Sequence, residues 1–205
     1  MGLVRGVVTN RVREYLATRF AVDLIQPSPI RVPGFSRKHL ALLFNSLDFH
    51  KGAEIGVDLG RHAFNLCKRI SGLQLLCVDP YAPDRRNPRA LEPDKYSGRF
   101  RRAQEKLAGY NVVWMRQMSM DAVREIDDES LDFVYIDGNH MFDYVMTDLI
   151  EWSKKVRLGG IVSGHDYYNF RNGGVVPAVD AYTKAHKIKE WFVLGEKSPS
   201  FLWAK

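Results

Sequence analysis

Acidic and histidine side chains follow two separate apolar segments of the chain. Asp137 comes directly after residues 131–136, and His165 and Asp166 come shortly after residues 159–163. If these segments are neighbouring strands of a parallel sheet, their carboxyl ends meet at one edge and the three side chains can bind one ligand. Two carboxylates and an imidazole suit a divalent cation, the oxygens favouring Mg²⁺ and the histidine admitting Mn²⁺ or another transition metal. The sequence therefore predicts a metal site made of Asp137, His165 and Asp166.

A further histidine, His140, lies in the same loop as Asp137. An imidazole titrates near neutral pH, so His140 can accept a proton from a hydroxyl group, and a cation bound to that hydroxyl lowers its pKa. We predict that His140 and Asp137 act in catalysis, with His140 as the general base. Structural roles stay open: His140 can pack against the following helix, Asp137 can cap that helix, and His165 with Asp166 can form a turn.

Two glycines and an acid are spaced as in a nucleotide-binding site. Gly56 and Gly60 lie between a strand pattern and a helical pattern, where glycine lets the backbone approach a ligand closely. Asp79 lies 23 residues after Gly56, at the end of the next strand pattern, and can accept hydrogen bonds from both hydroxyls of an adenosine ribose. The dinucleotide fingerprint G-x-G-x-x-G fails, because Asp58 and Arg61 stand where its other glycines belong. Asp58 would repel a pyrophosphate but tolerates a sulfonium ligand with an amine, so the pattern favours S-adenosylmethionine.

Short apolar runs alternate with helical patterns from residue 53 to the C-terminus. The predicted strands cover residues 53–57, 73–78, 112–115, 131–136, 159–163, 190–194 and 201–204. Strands separated by crossover helices form right-handed parallel βαβ units, but residues 195–200 are too few for such a helix. The sequence therefore predicts an α/β fold with a doubly wound, mostly parallel seven-stranded sheet that ends in an antiparallel hairpin.

The first fifty residues show a different pattern. Residues 7–20 predict an amphipathic helix, residues 26–34 a proline-rich loop, and Ser36 caps a second helix that extends to about Leu47. We therefore predict an N-terminal helical accessory segment over residues 1–50 and a cofactor-binding domain over residues 51–205. The accessory segment can cover the active site or form the surface of a homodimer.

Four sequence motifs occur in order from residue 54 onward. They are E-I-G-x-x-x-G at 54–60, V-D-P-Y at 78–81, D-F-V-Y-I-D-G-N-H at 132–140 and L-G-G-I-V-S-G-H-D-Y at 158–167. Together with the terminal hairpin, they resemble class I S-adenosylmethionine-dependent methyltransferases, and most nearly the small-molecule group that includes the macrocin O-methyltransferases. The resemblance implies a Rossmann-like methyltransferase fold and metal-assisted O-methylation of a small hydroxylated acceptor, such as a sugar, a glycan or a natural product.

The resemblance also implies roles for single residues. Those expected beside the cofactor are Glu54, Gly56 and Gly60 at its methionine part, Asp79 at the ribose, Ser119 near the adenine, and Asp137. Two positions depart from the pattern of the relatives. Many of them have an acid where this chain has Met118, and Asp-Asp or Asp-Asn where it has His165-Asp166. The first departure bears on the adenine contact and the second on the identity of the metal.

The charge of the chain supports a second class of function. The formal net charge is +6, and basic residues are concentrated between Arg85 and Lys106, interleaved with aromatic ones. Such a segment can bind phosphates, so methylation of an RNA ribose hydroxyl is an alternative. Methylation of a base amino group usually needs a Pro-Pro-aromatic pattern where this chain has D-G-N-H at 137–140. A third alternative is a non-catalytic binding protein on the same fold.

Composition argues against a membrane or secreted protein. The longest uninterrupted apolar run covers residues 40–44, far short of the ~20 residues of a membrane-spanning helix. The N-terminus has no secretory or myristoylation pattern. Cys67 and Cys77 lie in apolar segments without metal-binding spacing, which predicts buried free thiols. We therefore expect a cytoplasmic protein with no membrane partner.

Overall fold

The computed structural model describes residues 2–82, 93–170 and 173–205. The helices are α1 (Gly2–Arg19), α2 (Arg37–Ser46), α3 (Arg61–Arg69), α4 (Pro93–Leu107), α5 (Ser119–Ala122), α6 (Phe142–Lys155) and α7 (Val175–Ala185), with a 3₁₀ turn over Val123–Glu125. The strands are β1 (Ile30–Pro33), β2 (Lys51–Ile55), β3 (Gln74–Val78), β4 (Val112–Met115), β5 (Leu131–Ile136), β6 (Val156–Gly164), β7 (Phe192–Gly195) and β8 (Phe201–Ala204).

All these strands join one sheet in the order β1-β7-β8-β6-β5-β2-β3-β4. Neighbouring strands are parallel except at β8, which runs antiparallel to both β6 and β7. The chain moves outward from β2 through β3 to β4 on one side, and from β5 to β6 on the other. The topological switch point therefore lies between β2 and β5, where open α/β sheets bind ligands. The doubly wound, mostly parallel sheet with a terminal hairpin is confirmed.

The described residues contain one strand more than the sequence predicts. β1 lies within residues 26–34, which we interpreted as a loop, and it pairs in parallel with β7. Ile30 and Val32 are buried whereas Arg31 and Pro33 are exposed, which is the alternation of a strand with one covered face. Because β1 is at the edge of the sheet, Pro33 can occupy its last position without breaking a ladder between inner strands. The strand is short and ends in a proline, so the sequence pattern did not predict it.

Hydrophobic cores cover both faces of the sheet. On one face, helices α1 to α4 pack through residues such as Leu16, Leu66 and Leu107. On the other face, α6 and α7 pack through residues such as Trp152 and Val179. The result is a three-layer α/β/α arrangement that leaves the carboxyl ends of the strands open at one edge.

The N-terminal segment shares the first of these cores. The ring of Phe44 on α2 is stacked on Phe133 of β5 with centroids 4.4 Å apart. Helix α1 contacts β6 and β8. The segment therefore packs directly on the sheet and carries its α2 N-terminus toward the open edge.

Two further predictions concern the core and the membrane. Cys67 and Cys77 are buried free thiols, as predicted. In the part of the chain that the structure describes, no helix combines the length and apolar character needed to cross a bilayer.

Candidate active site

The loops after β2 and β5 touch each other at the switch point. Gly56 has a φ of +90°, and a Cβ built on it would overlap the carbonyl group of Asp137. In the same contact the Asp137 N–H donates to the Ile55 carbonyl at 2.7 Å. A side chain at position 56 would meet backbone atoms as well as adopt a conformation that favours glycine. Gly56 thus allows the Asp137 carboxylate to lie beside the turn that follows β2.

A cavity of about 530 Å³ opens at the carboxyl ends of β2, β3 and β5. The predicted site residues that line it are Glu54, Gly56, Asp79, Ser119, Asp137 and His140. Gly60 instead faces α4, where a Cβ built on it would be 3.3 Å from Ala103, so it supports the turn from behind. His165 lies beside Asp137 and His140 at a smaller cavity. The structure therefore gathers most of the predicted residues around one opening.

The carboxylate of Asp79 is held by the backbone of the turn. Its Oδ2 accepts hydrogen bonds from the N–H groups of Val57 and Asp58 at 3.0 and 2.9 Å, and its Oδ1 accepts one from Tyr81 at 2.8 Å. Burial raises the pKa of Asp79, and these three hydrogen bonds oppose that shift. A carboxylate offers about four acceptor positions, so Oδ1 keeps room for one ribose hydroxyl.

Glu54 is the opposite case. Its side chain is only 1% exposed, and Oε2 has no hydrogen-bond partner. Burial and the nearby Asp137 raise the pKa of Glu54 well above its usual range, while Arg37 acts against this shift. A buried carboxyl that faces a cavity without a partner needs a donor from a ligand.

Four acidic and histidine side chains meet after β5 and β6. His140 Nε2 lies 3.5 Å from Asp137 Oδ1 and 3.1 Å from Asp166 Oδ2. His165 Nδ1 lies 3.5 Å from Asp137 Oδ1 and 3.3 Å from Asp166 Oδ1. One ligand atom from each of Asp137, His140 and Asp166 lies within 4.8 Å of the others, as metal ligands require.

The acids of this cluster shift the pKa of His165, and its histidines shift the pKa of Asp137. Burial acts to lower the pKa of His165, but hydrogen bonds and charges from Asp137 and Asp166 outweigh it and raise the pKa to about 9. Burial acts to raise the pKa of Asp137, but hydrogen bonds from His140 and His165 make the net shift downward. Because a metal-bound histidine must be neutral, His165 would have to lose a proton on binding a cation. The oxygen and nitrogen donors of Asp137, His140 and Asp166 fit Mg²⁺ or Mn²⁺, so the set that lies close enough together contains His140 where the sequence predicted His165.

Ser119 belongs to a small buried network at the other end of the cavity. The Trp152 indole N–H donates to Ser119 Oγ at 2.7 Å, and the Ser119 hydroxyl donates to Asp148 Oδ1. Burial raises the pKa of Asp148 to about 6, with the Ser119 hydrogen bond opposing it. Met118 lies beside this network at the rim and is 36% exposed. A carboxyl group is therefore present near position 118, supplied by α6.

Arg37 and His62 also line the cavity, and neither stands in a motif that sequence reasoning could recognise. Arg37 is at the start of α2, and its Nη1 lies 3.8 Å from Asp137 Oδ2. His62 is on α3, its ring centroid lies 4.1 Å from that of Tyr135, and its Nε2 is buried without a partner. Burial, with the charge of Arg37, lowers the pKa of His62 to about 3, so the imidazole is neutral.

Three tyrosines, Tyr81, Tyr167 and Tyr168, follow β3 and β6, two of the strands that end near the site. The Tyr81 hydroxyl donates to the Asp58 carbonyl at 2.9 Å, and Tyr167 donates to Asp180 at 2.7 Å, so both have structural partners. Tyr168 is 39% exposed next to the acidic cluster. Of the basic segment between Arg85 and Lys106, residues 85–92 lie outside the described residues, and with them three of its eight basic side chains. In its described part, Arg99 pairs with Asp58.

Comparison with known proteins agrees with this geometry. A family model described as a methyltransferase domain matches residues 53–167, more than half of the chain. No curated protein matches the chain in sequence. An O-methyltransferase from Bacillus cereus, solved in complex with SAH, superposes with a TM-score of 0.61 at 16% identity, covering 98% of this chain and 91% of that one. TomG from Streptomyces achromogenes, an O-methyltransferase involved in tomaymycin synthesis and solved with SAM, gives a TM-score of 0.60 at 14% identity, covering 98% and 89%.

The sheet order and the terminal hairpin are those of the class I S-adenosylmethionine-dependent methyltransferase fold. The chain belongs to the family of methyltransferase domains whose model it matches, and it is an enzyme of that class. The family resemblance inferred from the four motifs is confirmed.

Proposed function

We propose that the protein transfers the methyl group of S-adenosylmethionine to a hydroxyl oxygen of a small acceptor, with Mg²⁺ or Mn²⁺ assisting. The observation that carries the proposal is the position of Asp137. Its carboxylate lines the cavity between β2 and β5 and also belongs to the cluster with His140 and Asp166. A cofactor in the cavity and an acceptor at the cluster would therefore lie next to each other, as in-line methyl transfer requires.

The cofactor roles follow from the cavity lining. Asp79 would bind a ribose hydroxyl through the free position on Oδ1, and Gly56 keeps the turn close to the cofactor. Glu54 would face the methionine part, Gly60 would support the turn, and Ser119 would lie at the adenine end. The half-buried position of Asp137, beside both regions, supports a contact with cofactor as well as with metal.

The acceptor roles follow from the cluster. Asp137 and Asp166 would hold the cation together with His165 or His140, and a bound cation lowers the pKa of a coordinated hydroxyl. His140 would accept the hydroxyl proton when its Nε2 is not used for the metal. Because one nitrogen lone pair cannot do both, His165 is the better metal ligand if His140 is the base.

The proposal also covers the domain organisation, the location and the acceptor. We propose residues 51–205 as the cofactor-binding domain, residues 1–50 as an accessory segment, and the cytoplasm as the location. A sugar, a glycan or a natural product remains our proposed acceptor, because the small cavity is bordered by polar as well as aromatic side chains.

Calorimetric titration with S-adenosylhomocysteine tests the cofactor, and titration with Mg²⁺ and Mn²⁺ tests the metal. We expect micromolar binding of S-adenosylhomocysteine to the wild type, and metal binding that Asp137→Asn weakens at least ~10-fold through loss of a charged ligand. Asp143→Asn is the matched control, since Asp143 is exposed in the first turn of α6. Failure of the wild type to bind S-adenosylhomocysteine would contradict the proposed function.

The two roles of His140 are separable by comparing the reaction rate with the metal affinity. If His140 is the base, His140→Gln lowers the rate ~100-fold, while metal affinity stays within ~2-fold. If His140 is a ligand, metal affinity falls instead. Measuring both quantities on one preparation assigns the role.

A further inference from the structure

Two buried polar atoms without partners line the same cavity. Glu54 Oε2 is on β2 and His62 Nε2 is on α3, and both side chains are almost fully buried. Leaving a buried polar atom unpaired costs on the order of 1–3 kcal/mol, and more for a charged group. Both atoms lie at the cavity that the cofactor would enter, so a ligand there is the available source of partners.

Arg37 adds a permanent positive charge to this corner. Its backbone is held on both sides, because its N–H donates to Glu196 Oε1 at 3.1 Å and its carbonyl accepts from Asn65 at 3.3 Å. The guanidinium lies close enough to Glu54 and His62 to shift the pKa of each. Its side chain hydrogen-bonds Tyr135 and lies 3.8 Å from Asp137 Oδ2, so with five N–H donors it keeps others for a ligand.

The three groups require a ligand with two opposite charges. Arg37 and a neutral His62 with its proton on Nε2 offer donors to an anion, whereas Glu54 needs a cationic donor. A phosphate would be repelled by Asp137, and a metal ion placed between Arg37 and His62 would be repelled by the guanidinium. An α-amino acid carries an ammonium and a carboxylate on one carbon, so its zwitterion matches all three groups at once.

We propose that Arg37 and His62 bind the α-carboxylate at the methionine end of the cofactor while Glu54 faces the ammonium group. The proposal rests on the proposed function and extends it, because neither residue belongs to a motif that implied a role. Since Arg37 comes from residues 1–50, the N-terminal segment then completes the cofactor site.

The test uses two ligands that differ only in the carboxylate. S-adenosylhomocysteine has it, and S-adenosyl-3-thiopropylamine lacks it but keeps the amine. In calorimetry we expect the wild type to prefer S-adenosylhomocysteine by at least ~10-fold, the effect of charged hydrogen bonds. Arg37→Gln should lower affinity for S-adenosylhomocysteine about 10- to 100-fold and leave the amine ligand within ~2-fold.

Other variants locate the contacts. His62→Leu should reproduce the selective loss more weakly, ~3- to 10-fold, while His62→Gln, which retains an N–H donor, recovers part of it. Glu54→Gln should weaken both ligands, because both keep the amine. Lys38→Gln is the matched control: Lys38 follows Arg37 on α2 but is exposed outside the cavity, and its loss should change neither affinity beyond ~2-fold.

The outcomes separate the two proposals. If the wild type binds both ligands equally, or if Arg37→Gln weakens both by the same factor, the carboxylate site is wrong while the cofactor assignment stands. If the wild type binds neither ligand, the proposed function itself is wrong, and the carboxylate site with it. Circular dichroism of each variant establishes that the fold is kept.

Discussion

Asp79 and Glu54 are two acids on neighbouring strands at the same edge of the sheet, yet their surroundings are opposite. Asp79 receives three backbone hydrogen bonds from the turn that it supports. Glu54 Oε2 receives none and is buried in the cavity wall. A carboxylate whose hydrogen bonds all come from the protein holds the shape of the site. A carboxyl group without such hydrogen bonds is available to bind a ligand. Substitutions at the two positions should therefore change stability in opposite directions.

The turn between these two acids gives the largest expected effect. Gly56→Ala places a Cβ in the Asp137 carbonyl at a φ of +90°, so the loops after β2 and β5 must separate. We expect a loss of ~4 kcal/mol in the free energy of unfolding, measured by urea titration, and loss of S-adenosylhomocysteine binding.

Gly72→Ala is the matched control for that substitution. Gly72 has a φ of +66°, but a Cβ built there would lie 3.7 Å from His50 Nδ1, which is an ordinary van der Waals contact. Only the conformational cost of ~1–2 kcal/mol should appear. Equal losses in the two variants would show that backbone strain, and not contact with Asp137, explains the glycine.

The next largest effect on stability is expected at Asp79, whose hydrogen bonds come from the protein backbone. Asp79→Ala removes the acceptor for three N–H groups, and at ~1 kcal/mol for each hydrogen bond we expect ~2–3 kcal/mol of destabilisation. Asp58→Ala, in the same turn, removes an exposed ion pair with Arg99 and should cost less than ~1 kcal/mol. If Asp79→Ala leaves the free energy of unfolding unchanged in urea, the backbone hydrogen bonds of Asp79 do not stabilise the fold, and Asp79 does not differ from Glu54 in this respect.

These contrasts also show which parts of the site the sequence could predict. Asp79, Asp137 and Asp166 end strands, and strand ends in a doubly wound sheet converge on one edge, so alternation alone placed them near a ligand. Arg37, His62 and Asp148 lie on helices, and which face of a helix meets the cavity depends on how it packs on the sheet. No spacing rule relates α2 or α6 to the turn after β2, so these residues could be found only in three dimensions.

The fold shows the same division. Strands β2 to β8 carry apolar runs long enough to be recognised, although their ends shift by a few residues. β1 has only Ile30 and Val32 as buried positions and ends in a proline, so local sequence favours a loop. Its strand conformation depends on pairing with β7, a contact across most of the chain.

Asp148 is a third buried acid, and it accepts one side-chain hydrogen bond, from Ser119. In the folded protein burial raises its pKa to about 6, above the ordinary value of 3.8, so the unfolded chain ionises first as pH rises. Stability is therefore full below about pH 4, falls between about pH 4 and 6, and is constant above that. Asp148→Asn keeps an acceptor for Ser119 without this loss, so the variant should gain as much as about 3 kcal/mol on the wild type across that range.

Urea unfolding of both proteins at pH 4, 5, 6 and 7 measures this difference, because all other titrating groups cancel between them. Asp143→Asn, on the exposed first turn of the same helix, should give a difference that varies by less than ~0.5 kcal/mol with pH. If the difference in unfolding free energy between Asp148→Asn and the wild type does not change with pH, the Asp148 carboxyl is ionised throughout this range. Asp148 would then resemble Asp79 and not Glu54.

The smallest effect concerns the unsatisfied acid itself. Glu54→Met replaces a buried carboxyl that lacks a partner by an apolar side chain of similar length, and we expect the ligand-free protein to gain ~1–2 kcal/mol in urea unfolding at pH 7. The same substitution should weaken S-adenosylhomocysteine at least ~10-fold, because the ammonium group loses its acceptor. Gain of stability together with loss of binding is the signature of a group kept for its ligand. If Glu54→Met instead destabilises the free protein as Asp79→Ala does, the carboxyl has a structural partner, and the two acids differ less than their hydrogen bonds indicate.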